Sequence, residues 1–267
     1  MEKTFTDDFD LEVIANSGQC FRFNTADGIN YTIISSEKML HAASLGSGRF
    51  SFDCSKKDFD SFWSGYFDLE TDYSAIRKLA CNNDFLKKCA DRSVGMRILK
   101  QDKWEMTVSF IISQRKSIPA IKTSIERLCR VCGREIGDGI YSFPTPGEIC
   151  RAPVDKLAEC GLGYRLSYIR EAADLFYAKK DEFERLSLLD DEELLSELKK
   201  MQGVGDKVAS CIALFGFHRL NFFPKDVWIN RALEEHFPLG FDHDAYNPYN
   251  GVMQQYIFYA YRNSKRS

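Results

Sequence analysis

The stretch that decides the fold is Leu198–Phe215, which reads LKKMQGVGDKVASCIALF. It predicts one helix that ends near Met201, a tight turn at Gly203 and Gly205, and a second helix that begins near Asp206. Both glycines permit backbone geometry that other residues resist, and they let exposed amides approach an anion closely. The third glycine of a dinucleotide-binding fingerprint is missing, and so is the Gly-Lys-Ser/Thr of a P-loop. The pattern therefore predicts a helix–hairpin–helix, which grips a nucleic-acid backbone without reading its bases.

Lys207 lies in the first turn of the second predicted helix. The positive end of the helix dipole and partial burial both disfavour its ammonium form. A neutral amine is what a Schiff-base nucleophile needs. Cys211 follows four residues later on the same helix face, so a group that contacts Lys207 also reaches this thiol. The alternative is a lysine that only holds a phosphate, as in non-enzymatic hairpin modules, and this stretch alone leaves both interpretations open.

A second constellation involves Asp226, within the sequence FPKDVW at Phe223–Trp228. The pattern predicts a helix over Ile229–His236 with Asp226 as its N-cap. Asp226 lies 19 residues beyond Lys207, far enough for the chain to complete one helix and return. One carboxylate oxygen can cap the helix while the other faces the amine, so capping and catalysis are compatible.

The rest of the chain predicts a sheet followed by helices. In the first stretch of about 55 residues, alternating apolar positions and turn signals predict four strands: Gln19–Phe23, Tyr31–Ser35, Lys38–Leu45 and Arg49–Cys54. From about Lys57 the apolar period becomes helical. We therefore predict an α+β protein with an N-terminal antiparallel β-sheet domain packed on a mostly helical helix–hairpin–helix body. The predicted domains are residues 1–95, the sheet with flanking helices, and residues 96–267, the helical region.

Composition limits the partners and the compartment. The chain has 36 Lys and Arg against 39 Asp and Glu, a formal net charge of −3, so DNA binding requires a local basic face. Its apolar runs fall short of the roughly 18–20 residues that span a bilayer. The acidic first residues lack the apolar core of a secretory signal. We expect a protein without membrane association, a monomer, in the cytoplasm.

Nine cysteines without an export signal favour reduced thiols. The closest pair, Cys129 and Cys132, has Cys-x-x-Cys spacing, but no second pair completes a zinc site. The pair lies in a helix-periodic apolar stretch, which favours packing. We predict no metal and no cofactor.

Four separated motifs together carry a family resemblance. Gly-Val-Gly-x-Lys, followed by Pro-x-Asp-Val, resembles the helix–hairpin–helix superfamily of base-excision DNA glycosylases. Three stretches resemble the 8-oxoguanine DNA glycosylase family within it: SGQCFRF at Ser17–Phe23, GLGYR at Gly161–Arg165 and GVMQQYIF at Gly251–Phe258. The resemblance covers most of the chain. Taken alone, each of these residues would be interpreted as an ordinary core, turn or surface residue. Their occurrence together with Lys207 and Asp226 favours an enzyme.

The resemblance implies a bifunctional glycosylase and lyase that acts on double-stranded DNA containing 8-oxoguanine. Lys207 would attack C1′ of the sugar and displace the base, and Asp226 would stabilise the cationic sugar. The lesion would be extruded from the duplex at a cost of about a few kcal/mol. The branch resembled is prokaryotic, which implies a protein associated with the nucleoid.

The resemblance also implies a base pocket. Gly18 would offer its carbonyl to the N7 proton of 8-oxoguanine, which guanine lacks, a difference of about 1–3 kcal/mol. Phe258 would stack on one face of the flipped base and Cys211 would approach the other, while Gln254 would bond its Watson–Crick edge. We add Phe215, from the same helix as Cys211, to the predicted substrate-binding residues.

The predicted DNA contacts form a larger set. They are Arg115, Tyr164, Arg165, Gly203, Val204, Gly205 and Trp228. Tyr164 and Arg165 would fill the gap left by the lesion and meet the orphaned base. Trp228 stands where the family has a histidine that contacts a phosphate. Gln114–Ala120 lacks both the gap-filling asparagine and the arginine that reads the opposite cytosine in eukaryotic members, so we predict weaker discrimination for cytosine.

Two alternatives stay beside this interpretation. One is a glycosylase for other damaged purines. The other is a non-enzymatic helix–hairpin–helix module in which Lys207 contacts only phosphate.

Overall fold

The structure is a computed structural model, and it describes residues 1–264. Contacts between Cα atoms divide the chain into two compact units. The first unit contains Met1–Ile33, Leu40–Lys100 and the C-terminal residues from His218. The second contains Ile34–Met39 and Gln101–Phe217. The chain therefore leaves the first unit twice, briefly for Ile34–Met39 and then for Gln101–Phe217, and it returns at Leu40 and at His218.

A five-stranded antiparallel sheet forms the β part of the fold. Its strands are β1 (Glu2–Thr4), β2 (Phe23–Thr25), β3 (Asn30–Ser35), β4 (Lys38–Gly46) and β5 (Arg49–Phe52). Their order across the sheet is β1-β5-β4-β3-β2. In β5, Phe50 and Phe52 are buried while Ser51 between them is partly exposed, as the period-two alternation predicts. One face of β5 therefore packs into an aromatic core, in which Phe52 contacts Phe59 and Phe67.

In sequence, the helices of the first unit lie before β2, after β5 and near the C-terminal end of the chain. They are α1 (Leu11–Asn16), α2 (Lys56–Asp58), α3 (Ser64–Tyr66), α4 (Tyr73–Leu79), α5 (Asp84–Asp91), α14 (Val227–His236) and α15 (Asn250–Ser264). A short π-helix (Phe59–Trp63) joins α2 to α3, and 3-10 turns lie at Ala80–Asn82 and Asp244–Tyr246. The Asp10 side chain caps α1 by accepting from the amides of Glu12 and Val13.

The second unit is almost entirely helical. Its helices are α6 (Lys103–Ser113), α7 (Ile118–Cys132), α8 (Pro146–Arg151), α9 (Val154–Ala158), α10 (Arg165–Ala178), α11 (Lys180–Arg185), α12 (Asp191–Lys199) and α13 (Asp206–Phe215). A two-stranded ladder of β6 (Glu135–Gly137) and β7 (Ile140–Tyr141) follows α7, and a 3-10 turn lies at Leu186–Leu188. Nearly every residue of α6 is buried, which makes it the central helix of this unit.

The predicted α+β class, with an antiparallel sheet and a mostly helical body, is confirmed. The strand predicted at Gln19–Phe23 is wrong: strand pairing begins only at Phe23, after a turn in which Gly18 has a φ of +79°. The short elements β1 and α1 were not predicted. The division into residues 1–95 and 96–267 stays a prediction about domains. Within the described residues, no helix has both the length and the apolar character that crossing a membrane requires.

Candidate functional site

The hairpin between α12 and α13 requires glycine at position 203. Gly203 has a φ of +79°, and a Cβ placed there would lie 2.2 Å from Cδ2 of Tyr168. The turn is closed by a hydrogen bond from the Val204 amide to the Met201 carbonyl, 3.1 Å. Helix α12 ends at Lys199, two residues earlier than predicted, whereas α13 begins at Asp206 as predicted. Close packing on an aromatic ring therefore fixes the shape of the turn.

Gly205 is the N-cap of α13, and no side chain caps this helix. It is exposed, and a Cβ there would meet nothing within 4 Å. The first amides of the helix consequently remain available to an external acceptor, together with the positive end of the helix dipole. An anion such as a backbone phosphate fits this arrangement. Val204, by contrast, is buried and anchors the turn.

Lys207 is half-buried in the first turn of α13. Its Nζ lies 5.5 Å from the centroid of the Phe110 ring. The Phe110 ring in turn stacks on Phe215, with 5.4 Å between centroids and 18° between planes. Phe215 and Cys211 are both buried on the same helix. The amine is therefore held beside apolar surface, while Phe215 serves as packing beneath it.

Hydrogen bonds from the side chains of Lys116 and Arg165 connect two loops of the second unit, residues 114–117 and 161–165. Arg165 is only 6% exposed, and its guanidinium donates to the carbonyls of Leu162, at 3.2 Å, and Gln114. Lys116 Nζ donates to the Gly161 carbonyl at 2.6 Å. Burial lowers the pKa of the Lys116 ammonium, and the charge of Arg165 adds to this effect. These bonds hold both loops in a defined shape.

The same two loops present the exposed candidates for DNA contact. Arg115 is exposed and has a φ of +52°, a left-handed conformation that is rare for arginine. Tyr164 is 52% exposed, and the Arg165 guanidinium lies 4.4 Å from its ring centroid. Arg165 itself is oriented towards backbone carbonyls in this structure. Its predicted contact with DNA stays a prediction.

In the first unit, Asp226 is the N-cap of α14, as predicted. Its Oδ1 accepts from the Ile229 amide at 2.8 Å. The cap occupies one oxygen of a half-buried carboxylate. Two residues later Trp228 is half-buried, and the guanidinium of Arg231 lies 5.7 Å from its ring centroid.

Helix α15 carries Gln254 and Phe258, four residues apart. Gln254 is 3% exposed, and its Nε2 donates to the Pro224 carbonyl at 3.0 Å, in the loop that leads to Asp226. Its Oε1 accepts from Gln255 Nε2 at 2.8 Å. Phe258 is half-buried, and a Cβ at Gly18 would lie 3.0 Å from its Cε1 atom. Gly18 and Phe258 thus lie next to each other, whereas the Gln254 amide is largely engaged by the protein itself, and the predicted contacts of all three with the base stay predictions.

The sequence prediction missed Arg262, which also contacts this cluster. Its guanidinium lies 5.2 Å from the centroid of the Phe258 ring, and Nη2 donates to the Asn16 carbonyl at 3.3 Å. The four-residue spacing from Phe258 was the available signal. Within the described residues, no group of three or more His, Cys, Asp or Glu side chains is arranged to hold a metal ion.

A sheet-bearing unit, together with a helical unit that carries a helix–hairpin–helix and a lysine in its second helix, defines the class of helix–hairpin–helix base-excision proteins. Family comparison agrees. Residues 108–246 match the HhH-GPD superfamily of base excision DNA repair proteins, and residues 3–107 match the N-terminal domain of 8-oxoguanine DNA glycosylase. The chain belongs to the HhH-GPD superfamily, in its 8-oxoguanine DNA glycosylase branch.

Solved structures resemble the chain over nearly its whole length. MBOgg1, solved in complex with a low-affinity DNA ligand, is 33% identical with a TM-score of 0.93, covering 99% of this chain and 96% of that chain. The 8-oxoguanine glycosylase/lyase of Clostridium acetobutylicum, solved with double-stranded DNA containing cytosine opposite 8-oxoguanine, is 32% identical with a TM-score of 0.90. The match covers 99% of this chain and 98% of that chain.

Curated relatives are longer than the region they share with this chain. A probable N-glycosylase/DNA lyase of Methanothermobacter thermautotrophicus is 32% identical over 195 residues, which is 64% of this chain and 61% of the relative. The chain thus spans less than two thirds of the length of the first curated relatives that it matches.

Proposed function

We propose that this chain is a bifunctional DNA glycosylase and lyase that removes 8-oxoguanine from double-stranded DNA. It is proposed to act as a monomer in the cytoplasm of a prokaryote, on DNA of the nucleoid. Membership of the 8-oxoguanine glycosylase branch supports the substrate class. The observation that carries the chemistry is the half-buried amine of Lys207, beside the Phe110 ring in the first turn of an uncapped helix.

Lys207 is the proposed nucleophile. Once deprotonated, its amine forms a bond to C1′ of the extruded nucleotide, and the bond from C1′ to the base breaks with its electron pair leaving on the base. Loss of a proton from the nitrogen and opening of the sugar ring give a Schiff base. That cation acidifies the 2′ carbon, and loss of a 2′ proton expels the 3′ phosphate, which cleaves the strand.

Asp226 is the proposed electrostatic group. Positive charge develops on the sugar as the base leaves, and a fixed carboxylate stabilises that charge. Because Oδ1 is held by the Ile229 amide, the carboxylate keeps one orientation without reorganising during the reaction. The uncapped amides of α13, at Gly205, are proposed to hold a DNA phosphate.

The remaining residues are proposed to bind DNA and the base. Gly18, Phe258, Cys211 and Gln254 are proposed to contact the extruded base, and Phe215, which packs on Phe110, is a further proposed substrate-binding residue. Arg115, Tyr164, Arg165 and Trp228 contact the DNA around the lesion, and Gly203, Val204 and Gly205 form the phosphate-binding turn.

Borohydride trapping tests the proposal, because only a Schiff base becomes covalently linked to DNA on reduction. We expect the wild-type protein to be trapped on a duplex with one 8-oxoguanine, and Lys207→Gln to lose the adduct while keeping DNA affinity within about threefold. Lys87→Gln, an exposed lysine paired with Asp91, is the matched control and should trap normally. Undiminished trapping of Lys207→Gln would exclude this nucleophile. Binding without any trapping of the wild type would favour the non-enzymatic alternative.

A lesion panel separates the substrate alternatives. Single-lesion duplexes with 8-oxoguanine, 3-methyladenine or hypoxanthine are incubated with the wild type and with Asp226→Asn. We expect the wild type to cleave only the duplex with 8-oxoguanine. We expect Asp226→Asn to cleave it at a rate lower by about 100-fold or more. Preferred cleavage at another purine would replace the proposed substrate, and full activity of Asp226→Asn would remove this carboxylate from the mechanism.

A further inference from the structure

Arg262 connects the turn that contains Gly18 to the ring of Phe258. Its Nη2 donates to the carbonyl of Asn16, the last residue of α1, at 3.3 Å. Its guanidinium lies 5.2 Å from the centroid of the Phe258 ring. A Cβ at Gly18 would lie 3.6 Å from Nη1 of Arg262 and 3.0 Å from Cε1 of Phe258. The turn at Gly18, the Phe258 ring and the Arg262 guanidinium therefore each lie against the other two.

The guanidinium of Arg262 is buried and therefore needs compensating contacts. Arg262 is only 7% exposed. Arginine is among the residues that are almost never fully buried without partners, since removing its charge from water is costly. A cation over an aromatic face recovers part of that cost, more so when the pair is desolvated. The planar fork also allows one side chain to bond a carbonyl and cover a ring at the same time.

We propose that Arg262 is a positioning residue that sets the distance between the Gly18 carbonyl and the Phe258 ring. This rests on the proposed function, in which the Gly18 carbonyl accepts the N7 proton of 8-oxoguanine while Phe258 stacks on the base. Because Arg262 covers one face of the ring, a stacked base uses the opposite face. The hydrogen bond and the stack then act on the same base only if the carbonyl and the ring keep a fixed spacing.

The proposal predicts a selective defect. A loose Gly18 turn weakens the hydrogen bond that recognises the oxidised base, but strand cleavage at a preformed abasic site involves no base. A merely structural arginine, which holds α1 against the end of α15, predicts equal losses in both reactions. The ratio of the two activities therefore distinguishes positioning from general stabilisation.

The test compares Arg262→Met, Arg262→Lys and the wild type on duplexes with one 8-oxoguanine or one abasic site. Each rate is divided by the fraction of enzyme that borohydride traps on abasic DNA, so that unfolded protein does not count. We expect Arg262→Met to lose about 5- to 30-fold in kcat/KM for 8-oxoguanine, the worth of one weakened hydrogen bond. Cleavage of abasic DNA should stay within about twofold. Arg262→Lys keeps the charge without the planar fork and should fall between Arg262→Met and the wild type.

Arg49→Met controls for the loss of one positive charge, because Arg49 is an exposed cation on β5. Equal losses on both duplexes overturn the proposal, and so does an unchanged rate on 8-oxoguanine. The same selective loss in Arg49→Met overturns it as well. So does a kcat/KM of Arg262→Lys for 8-oxoguanine that does not fall between those of Arg262→Met and the wild type. If Arg262→Met yields no trappable enzyme, the ratio in Arg262→Lys decides. A wild type that leaves 8-oxoguanine intact refutes the proposed function instead, so the two failures differ.

Discussion

The buried carboxylate of Asp68 should make a measurable, pH-dependent contribution to the stability of the first unit. Its side chain is fully buried and forms an ion pair with Lys100 at 2.7 Å. The same carboxylate accepts from the Tyr73 hydroxyl at 2.9 Å and lies 3.4 Å from Nε2 of His218. Lys100 and His218 are the residues at which the chain leaves and re-enters this unit. Asp68 thus contacts the residues on either side of the long segment Gln101–Phe217.

The magnitude follows from the pKa of Asp68. Burial raises this pKa, but hydrogen bonds from His218 and Lys100 more than offset burial and bring it from 3.8 to about 2. Because the pKa in the folded state is lower than in the unfolded state, the stabilisation is complete above the unfolded value. It is lost as pH falls through the folded value. Lowering this pKa from 3.8 to about 2 is worth roughly 2.5 kcal/mol at pH 7, and about half of that remains at pH 3.

The perturbation is Asp68→Asn, assayed by urea unfolding at pH 7 and pH 3. We expect the variant to lose about 2–4 kcal/mol at pH 7, since Lys100 and the Tyr73 hydroxyl lose their buried charged partner. The deficit should shrink by at least about 1 kcal/mol at pH 3. The control is Asp91→Asn, which removes a pair of similar length, 2.8 Å to Lys87, with both side chains about half-exposed. That variant should lose less than about 1 kcal/mol. Equal deficits of Asp68→Asn at both pH values would refute the reasoning.

Three further predictions concern DNA. Gly203→Ala should weaken duplex binding and destabilise the protein by about 1–3 kcal/mol, because its φ is +79° and its Cβ would collide with Tyr168; wild-type affinity and melting temperature would contradict this. Cleavage of 8-oxoguanine opposite C, A, G and T should show only modest preference for cytosine, and a strict cytosine requirement would refute that expectation. The affinity for duplex DNA should fall steeply with salt, and Arg115→Ala should lower the slope of log K against log salt by about one; an unchanged slope would remove Arg115 from the phosphate contacts.

Local signals predicted the backbone structure around the two catalytic candidates. Asp226 followed by an apolar-periodic run predicts an N-cap, and its carboxylate does cap α14. The glycines around Val204 predict a tight turn, and the positive φ of Gly203 explains why a glycine stands there. In both cases the interaction that fixes the structure joins residues close in sequence, so the pattern contains it.

The strand predicted at Gln19–Phe23 failed because that stretch is shaped by distant contacts. All five of its residues are buried, so apolar alternation does not apply. Gln19 Nε2 donates to the Arg97 carbonyl at 2.7 Å, and Gln19 Oε1 accepts from the Leu99 amide at 2.8 Å. The buried side-chain amide of Gln19 thus forms the hydrogen bonds to the Arg97 carbonyl and the Leu99 amide that a neighbouring strand would otherwise supply. These partners lie about 80 residues away, beyond the range of periodicity arguments.

Helix α15 shows how a periodic element organises non-local chemistry. Gln254, Phe258 and Arg262 follow one another at four-residue spacing, so they lie on nearly one helix face. Gln254 holds the loop before Asp226 through the Pro224 carbonyl, and Arg262 holds the turn before Gly18 through the Asn16 carbonyl. One bond reaches the irregular loop before Asp226 and the other the end of α1, where the irregular turn at Gly18 begins, and such backbone needs hydrogen bonds from other elements to keep one conformation. The helix supplies them from a rigid frame, and for this reason the proposed electrostatic group and the proposed base-recognition carbonyl depend on the register of the same helix.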